Sequence, residues 1–366
     1  KLSKMRIAIL GTRGIPNYHG GFEQFAEFFA VYLAEKGEDV FVYNSSLHPY
    51  QEKTFQGVNI ISCKDPEDKL GTPGQFLYDL NCILDARKRN FDVILQLGYT
   101  SSTIWWWLMP KKAKIITNMD GLEWKRSKYS KKVQNFLKYA EKLGAVHSDH
   151  LIADSLGIKT YLREKYNKDA TYIAYGANVF DNPDDRILKK YQIEKENYSL
   201  LIARFEPENN LEMILDGVVK SNRSEPFLVI GKHDTVYGDF LKNKYKAYPN
   251  IKFIGGIYNL EELNNIRYYS RLYFHGHSVG GTNPSLLEAM ASNTLICANN
   301  NEFNKGVLKE NAFYFKNAKE VAELYTEKEK NKHPDFINNN IMAIKNEFSW
   351  EIINQKYYEL LKAFKI

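Results

Sequence analysis

The amino-acid sequence predicts an α/β protein made of two Rossmann-like, doubly wound domains whose parallel sheets face a central cleft. Two observations lead to this prediction. Short β-rich runs alternate with helix-like segments through the first half of the chain, and the same alternation restarts at Ser199. The chain has 366 residues, which is too long for one typical domain and suits two. Because strands that alternate with helices form βαβ units, each sheet should be mostly parallel.

The first alternation contains six runs typical of strands and three typical of helices. The strands are predicted at residues 6–10, 39–43, 58–62, 93–97, 114–118 and 150–153, and the helices at 21–36, 73–89 and 131–144. Thr72 is the expected cap of the second helix, and Pro73 its first residue. We place the N-terminal domain at residues 1–180.

The second alternation predicts strands at residues 199–203, 227–230, 251–254, 272–275 and 295–298, with helices near 211–219, 260–269 and 284–291. Residues 176–195, which contain the turn-forming NPDD, read as the linker. The C-terminal domain is placed at residues 181–347. Residues 348–366 alternate apolar and polar side chains at helical spacing and predict a last helix.

Composition and charge exclude several classes of protein. Hydrophobic residues make up 44% of the chain, so general disorder is not expected. The three cysteines, at positions 63, 82 and 297, form no metal-ligand pattern or disulfide framework, which fits a reducing cytoplasm. The net charge of +6 is spread along the chain and argues against a nucleic-acid binder. The longest apolar run, IWWWLMP at 104–110, is far shorter than the ~20 residues that span a bilayer.

A glycine-rich loop follows the first strand. Residues 11–25 read GTRGIPNYHGGFEQF, and Gly14, Gly20 and Gly21 could let the backbone approach a phosphate or a sugar. The glycines could equally serve turns alone. The spacing is not that of the dinucleotide fingerprint, and Asn44 stands where that fingerprint needs an acid, so a nicotinamide enzyme is disfavoured.

Charged residues directly after strands are the other candidates. Asp120 either faces the cleft, where it could take a proton from a substrate hydroxyl, or is a cap. For Asp154 the cap is the stronger interpretation, since it precedes Ser155 and a helix. Arg204 could bind a diphosphate through its two-pronged guanidinium. Its alternative is an ion pair with Glu206 or Glu208, both close in sequence.

A third candidate is a helix N-terminus in GHSVGGTNPSLLEAMA, residues 276–291. Asn283 is a natural cap, and Pro284 is tolerated in the first helical turn. Such an end carries free backbone N–H groups and the positive pole of the helix dipole. This helix end either is only well capped or is also an anion-binding site.

Together these motifs resemble the retaining nucleotide-sugar glycosyltransferases of family 4, which have the GT-B fold, and in particular their rhamnosyltransferase subgroup. Three stretches carry the resemblance, at residues 11–23, 203–210 and 276–290. Two positions depart from the wider family. Gly280 stands where the family has the first of two carboxylates, and Asn209 replaces a lysine that helps to bind the diphosphate. Both changes are similar to the subgroup's own pattern.

The resemblance implies transfer of a deoxyhexose, L-rhamnose from dTDP-rhamnose, with retention and without a metal or another cofactor. The backbone N–H groups of Ser285 and Leu286 would hold the diphosphate with Arg204, and Glu288 would accept hydrogen bonds from the ribose. The other donor-binding residues implied are Gly14, Gly20, Gly21, Asn209, His277, Gly280, Gly281, Thr282, Asn283 and Pro284. One of His275 and His277 could donate to a sugar or phosphate oxygen, or both could be structural.

The acceptor side of the reaction is assigned to the N-terminal domain. Asp120 is expected to contact the acceptor hydroxyl, with Glu23 and Asp154 as further candidates. The resemblance also implies a lipid-diphosphate-linked saccharide as acceptor and a last helix that crosses back to the N-terminal domain. Basic and aromatic residues at 124–143, and the tryptophans at 105–107, suit an anionic membrane surface or form a solvated helix face. We therefore expect a cytoplasmic protein, peripheral at the inner face of the cell membrane.

Three alternatives remain open. The first is a family 4 enzyme that uses UDP-glucose or UDP-N-acetylglucosamine. The second is a decayed transferase that acts as a binding protein, which the carboxylate missing at Gly280 would favour. An NAD-linked oxidoreductase is the third.

Overall fold

The computed structural model describes residues 4–18, 20–126 and 128–365. The chain divides into two compact units. The N-terminal unit consists of residues 1–124, 129–174 and 350–366, and the C-terminal unit of residues 125–128 and 175–349. Over the described residues, no helix is both long and apolar enough to cross a membrane.

The N-terminal unit is built on an eight-stranded sheet in the order β3-β4-β2-β1-β5-β6-β7-β8, counted over the described residues. All neighbouring strands pair in parallel except β3 and β4. The strands are β1 (Arg6–Leu10), β2 (Asp39–Ser45), β3 (Thr54–Phe55), β4 (Val58–Cys63), β5 (Val93–Leu97), β6 (Lys114–Asn118), β7 (His150–Ala153) and β8 (Ala170–Tyr172). Side chains of β1 and β5 are almost wholly buried, as expected for strands covered on both faces.

Before residue 175, the described residues of this unit form five α-helices. They are α1 (Gly21–Glu35), α2 (Glu67–Leu70), α3 (Thr72–Ala86), α4 (Lys131–His147) and α5 (Leu156–Tyr166). The expected cap of α3 is wrong by one residue, because Thr72 is the first helical residue and Gly71 is the N-cap. Gly71 has a positive φ of 62°, a conformation that glycine adopts at little cost.

The C-terminal unit has a six-stranded, fully parallel sheet in the order β11-β10-β9-β12-β13-β14, again over the described residues. Its strands are β9 (Ser199–Ile202), β10 (Phe227–Ile230), β11 (Ile251–Gly255), β12 (Tyr273–His275), β13 (Ile296–Asn299) and β14 (Phe313–Phe315). The helices are α6 (Leu211–Lys220), α7 (Val236–Lys244), α8 (Leu260–Tyr268), α9 (Pro284–Ala291), α10 (Glu302–Leu308), α11 (Ala318–Glu327) and α12 (Pro334–Ala343).

The last helix, α13 (Trp350–Ala363), belongs to the N-terminal unit. Trp350 stacks on Phe28 of α1 with ring centroids 4.7 Å apart, and the Tyr357 ring lies 4.5 Å from that of Phe25. The Tyr357 hydroxyl accepts a hydrogen bond of 2.8 Å from Asn118 Nδ2 at the end of β6. The helix therefore completes the aromatic packing of α1.

The predicted fold class, two Rossmann-like domains with parallel sheets, is confirmed. In each sheet the strand order reverses beside the first strand, between β1 and β5 in one unit and between β9 and β12 in the other. Ligands of doubly wound sheets bind beyond the carboxyl ends of the strands at such a switch point. The loops after β1, β9 and β12 are therefore where binding residues are expected.

Candidate functional site

Two loops meet at the switch point of the C-terminal unit, one after β9 and one after β12. Asn210 Nδ2 donates a 2.8 Å hydrogen bond to the Gly276 carbonyl, and Ser278 Oγ donates one of 2.7 Å to the Glu208 carbonyl. A Cβ at Gly276 would overlap the Asn209 carbonyl oxygen, so only glycine allows this close approach. The two sequence motifs thus form one structural site.

Arg204 lies two residues after β9, at the edge of this site. Within the described part of the chain, the side chain of Arg204 forms no hydrogen bond or ion pair. The expected alternative, an ion pair with Glu206, is wrong, because Glu206 pairs with Lys128 at 3.0 Å. The Asn209 amide is buried and donates 2.8 Å to the Arg204 carbonyl, so it holds the loop. Arg204 is therefore available to an anion, whereas the Asn209 amide nitrogen already has an acceptor.

Helix α9 begins with the cap that the sequence predicts, but the cap uses the N–H groups that were expected to be free. Asn283 Oδ1 accepts the Ser285 N–H at 2.9 Å, and the Asn283 carbonyl accepts that of Leu286 at 3.1 Å. The expectation of free N–H groups at these two residues is therefore wrong. An N-cap side chain accepts the N–H of the second or third helical residue, and Ser285 is the second.

The glycine loop before the helix offers the open donors instead. The backbone N–H groups of Gly280, Gly281 and Asn283 donate to no residue that the structure describes. Gly280 has φ of 127°, and a Cβ there would meet nothing within 4 Å. Glycine is therefore favoured here by the positive φ and not by a lack of space for a side chain. Thr282 is buried between them. N–H groups of this kind, next to the positive end of α9, can bind an anion.

Glu288 forms an ion pair with an arginine that the sequence analysis missed. Arg267 of α8, 1% exposed, lies with Nη2 2.6 Å from Glu288 Oε2. The same nitrogen donates to Ser285 Oγ at 3.1 Å, and the Tyr273 hydroxyl shares a 2.8 Å hydrogen bond with that oxygen. Nothing in the sequence marks Arg267, because arginine in a polar helix usually lies on the surface.

His275, the last residue of β12, and His277, two residues later, lie against each other with ring centroids 4.4 Å apart. Burial lowers the pKa of both rings. The positive charges of Arg204 and Arg126 add to this effect and bring the pKa of His277 to about 3. Both rings are therefore neutral near pH 7. His275 is 1% exposed, and neither of its ring nitrogens has a partner among the described residues.

At the switch point of the N-terminal unit, the predicted residues mostly hold the loop itself. Glu23 is buried and accepts the Arg13 N–H at 2.9 Å. Gly14 has φ of 128°, and a Cβ there would overlap the Asn44 side chain. Gly20 is the N-cap of α1, and Gly21 its first residue. Turn formation thus accounts for Gly14, and loop support for Glu23.

Asp120 and Asp154 lie near one phenol, that of Tyr357. Burial raises the pKa of Tyr357, and the negative charges of Asp154 and Asp120 raise it further. The cap of α5 is Ser155, whose Oγ accepts the Ile158 N–H at 3.2 Å, so the expected cap role of Asp154 is not needed. Asp120 has φ of 48°, and its N–H donates to Asn118 Oδ1 at 2.9 Å. Both carboxylates thus lie close enough to Tyr357 to raise its pKa, and the sequence analysis missed Tyr357.

Comparison with known families identifies the C-terminal half. Residues 183–342 match the family model described as glycosyl transferases group 1. These residues form a glycosyltransferase domain. Residues 4–178 match a domain of unknown function, DUF1972. The prediction of a transferase enzyme of the glycosyltransferase type is confirmed at this level. No curated protein matches the chain.

Solved structures share the fold of this chain over nearly its full length. A glycosyltransferase from Rickettsia africae is 16% identical with a TM-score of 0.72, and the match covers 99% of this chain and 98% of that one. Sucrose-phosphate synthase from Thermosynechococcus elongatus is 17% identical with a TM-score of 0.79, covering 98% and 99%. HepE of Anabaena, solved with UDP and glucose, is 14% identical with a TM-score of 0.75, covering 99% and 100%. The architecture is that of GT-B glycosyltransferases.

Proposed function

We propose that this glycosyltransferase transfers L-rhamnose from dTDP-rhamnose, with retention, to a lipid-diphosphate-linked saccharide in cell-surface polysaccharide assembly. The observation that carries the proposal is the switch point of the C-terminal unit, where Arg204 follows β9 without a side-chain partner among the described residues and the open N–H groups of Gly280, Gly281 and Asn283 precede α9. Thymidine and rhamnose rest on the resemblance of the three sequence motifs. HepE, whose structures hold UDP and UDP-glucose, supports a nucleotide-sugar donor.

Each part of the donor has a matching group in this unit. Arg204 binds the diphosphate in a bidentate manner, and the N–H groups of Gly280, Gly281 and Asn283 share its charge with the helix dipole. Glu288 accepts from the ribose through Oε1, the oxygen that Arg267 leaves open. Because His277 is neutral near pH 7, it can donate one N–H to a sugar or phosphate oxygen without carrying a charge.

The chemical step follows from this arrangement. The bond between the anomeric carbon and the diphosphate oxygen breaks while the acceptor oxygen attacks from the same face. The departing diphosphate receives the acceptor's proton and is stabilised by Arg204 and the loop N–H groups. Asp120 orients the acceptor hydroxyl by accepting its hydrogen bond. We expect no metal requirement, so a chelator should leave the rate unchanged.

The membrane contact is proposed for the N-terminal unit. Trp106, Trp107 and Tyr139 are 40%, 54% and 57% exposed, and α4 adds several lysines. A protein surface of this composition favours an anionic bilayer, where each lysine near the surface contributes about 1 kcal/mol. The fraction of protein that sediments with phosphatidylserine vesicles should fall when Trp106 and Trp107 are replaced by serine. Tyr258→Ser, an exposed aromatic of the other unit, is the control.

The proposal is tested by calorimetric titration with dTDP-rhamnose and with UDP-glucose. Loss of the Arg204 contact should weaken donor binding by about 30-fold or more in Arg204→Ala. Glu288→Ala should weaken it as well, whereas Arg186→Ala, an exposed arginine of the same unit, should not. Preference for UDP-glucose would favour the alternative donor. Binding of neither donor by folded protein would refute the enzyme and leave the decayed transferase.

A further inference from the structure

Asp79 of α3 is a buried carboxylate at the switch point of the N-terminal unit. Its Oδ2 accepts a 2.5 Å hydrogen bond from Ser101 Oγ, in the loop after β5. The positive charge of Arg13, in the loop after β1, also acts on this carboxylate. Asp79 therefore lies beside both of the loops between which the strand order of the sheet reverses. Ligands of doubly wound sheets bind at such a place.

One oxygen of this carboxylate is open. Asp79 is 8% exposed, and its Oδ1 has no hydrogen-bond partner among the described residues and is not sealed from solvent. Burial raises the pKa of Asp79 to about 6, against the Ser101 hydrogen bond and the charge of Arg13, which lower it. The charge of Asp65 adds to the rise. A carboxylate that is ionised near pH 7 despite burial, with one oxygen unpaired, is typical of a group that binds a ligand.

The charges around the open oxygen decide which class of ligand fits it. Arg13 is already paired with Asp65 at 3.3 Å and with Glu67, so these groups and Asp79 together are negatively charged at pH 7. They would repel a phosphate. Among the described residues, no group of three or more His, Cys, Asp or Glu side chains could hold a metal ion. A saccharide, which is neutral and rich in hydroxyl donors, suits this oxygen.

We propose that Asp79 is an acceptor-binding residue and that its Oδ1 accepts a hydrogen bond from a hydroxyl of the acceptor saccharide. The inference rests on the proposed function, because it takes a saccharide as the acceptor. Ser101 orients the carboxylate through Oδ2 and leaves Oδ1 for the ligand. Because an ionised carboxylate is a stronger acceptor than a neutral carboxylic acid, saccharide binding should weaken in acid.

The test measures the binding of methyl glycosides of glucose, galactose, N-acetylglucosamine and rhamnose by saturation-transfer NMR, with dTDP present. At least one glycoside should bind the wild-type protein at pH 8, and about tenfold more weakly at pH 5. Asp79→Asn should bind that glycoside at least about tenfold more weakly at pH 8 and show little dependence on pH. Asp85→Asn is the matched control, because Asp85 lies on the same helix and is paired with Arg89 at 2.6 Å. It should behave as the wild-type protein does.

Ser101→Ala separates a ligand-binding role of Asp79 from a structural one. It removes the hydrogen bond from the loop but keeps the carboxylate, so the glycoside should still bind at pH 8. Because the Ser101 hydrogen bond lowers the pKa of Asp79, its loss should move the pH at which binding is halved upward. Tyr78 and Cys82 stay neutral over this range, since burial raises the pKa of both. If Ser101→Ala loses binding at every pH as Asp79→Asn does, the carboxylate only holds the loop and the inference is wrong.

Failure of the inference and failure of the proposed function give different results. If dTDP-rhamnose binds the wild-type protein and none of the glycosides does, the inference is overturned and the donor site stands. If neither binds, both are overturned. Thermal melting at pH 8 checks each variant, and Asp79→Asn should melt no lower than the wild-type protein, because the raised pKa means that the ionised carboxylate costs stability there. If Asp79→Asn does not fold, the pH series of the wild-type protein and Ser101→Ala decides, and equal midpoints refute the role of Asp79.

Discussion

Glu141 of α4 offers the sharpest test of how the N-terminal unit is held together. This carboxylate is 1% exposed and accepts from five side chains. The hydroxyls of Tyr161 and Tyr166 donate at 2.7 and 2.6 Å, Trp124 Nε1 at 2.9 Å, Lys165 Nζ at 3.2 Å and the Tyr99 hydroxyl at 3.4 Å. Trp124 belongs to the segment that follows Asp120, and the Tyr99 hydroxyl bonds to that segment at Gly121 and Glu123. Glu141 therefore both stabilises the unit and positions that segment.

Replacing Glu141 with leucine leaves several buried donors without an acceptor. Hydrogen bonds to a charged group contribute about 1.5–3 kcal/mol each, but the donors partly relax toward solvent, so we expect a total loss of about 4 kcal/mol. Glu141→Gln keeps the size and one acceptor oxygen, and should lose about 2 kcal/mol. For a unit of this size these losses lower Tm by roughly 8–16 °C and 4–8 °C.

The measurement is thermal unfolding followed by near-ultraviolet circular dichroism, which reports on the tyrosines and on Trp124. Glu164→Gln on α5, an exposed carboxylate of the same unit, is the control and should change Tm by less than about 1 °C. Activity should fall with dTDP affinity unchanged, because Glu141 belongs to the N-terminal unit. A leucine variant that melts with the wild-type protein would refute the reasoning.

Three further predictions concern the C-terminal unit. Gly276→Ala should abolish donor binding and lower the free energy of unfolding by about 2 kcal/mol or more, because its Cβ would overlap the Asn209 carbonyl. A Cβ at Gly280 would meet no atom, so Gly280→Ala should lose only about 1 kcal/mol, through its positive φ. Donor titration and urea unfolding compare the two variants. Because the pKa of His277 is lowered in the folded protein, its contribution to stability is complete above pH 6.5 and falls as the pH drops toward 3. Between pH 7 and pH 5 the free energy of unfolding should therefore fall by up to about 2 kcal/mol more in the wild-type protein than in His277→Gln. Lys128→Ala should leave dTDP affinity within about twofold, because its partner Glu206 is solvent-accessible and surface ion pairs contribute little; a large loss would place Lys128 on the donor.

The sequence predicts most strands of the two sheets because they are short runs rich in apolar and β-branched residues, such as RIAIL in β1 and FLVI in β10. The strands it misses, β3, β8 and β14, are two or three residues long, and such short segments carry no periodic pattern. The Asn283 cap is predicted because capping is local and depends on residues adjacent in the chain.

The candidate site is less predictable where its contacts join distant residues. Arg267 and Glu288 are 21 positions apart, and Asn118 and Tyr357 are 239 apart, so neither pair has a signature in one sequence. The error about the Ser285 and Leu286 N–H groups has a different origin. The motif shows which groups lie at the helix end, but not whether the cap already uses them.

The return of α13 to the N-terminal unit has a consequence for biosynthesis. Ribosomes make proteins from the N-terminus, so the strands of this unit emerge first, yet Trp350 and Tyr357 emerge only after the whole C-terminal unit has been made. Until then Phe25, Phe28 and Phe29 lack the aromatic partners that α13 supplies. The unit that is started first is thus finished last, and a nascent chain stalled before residue 350 should expose this aromatic surface to chaperones.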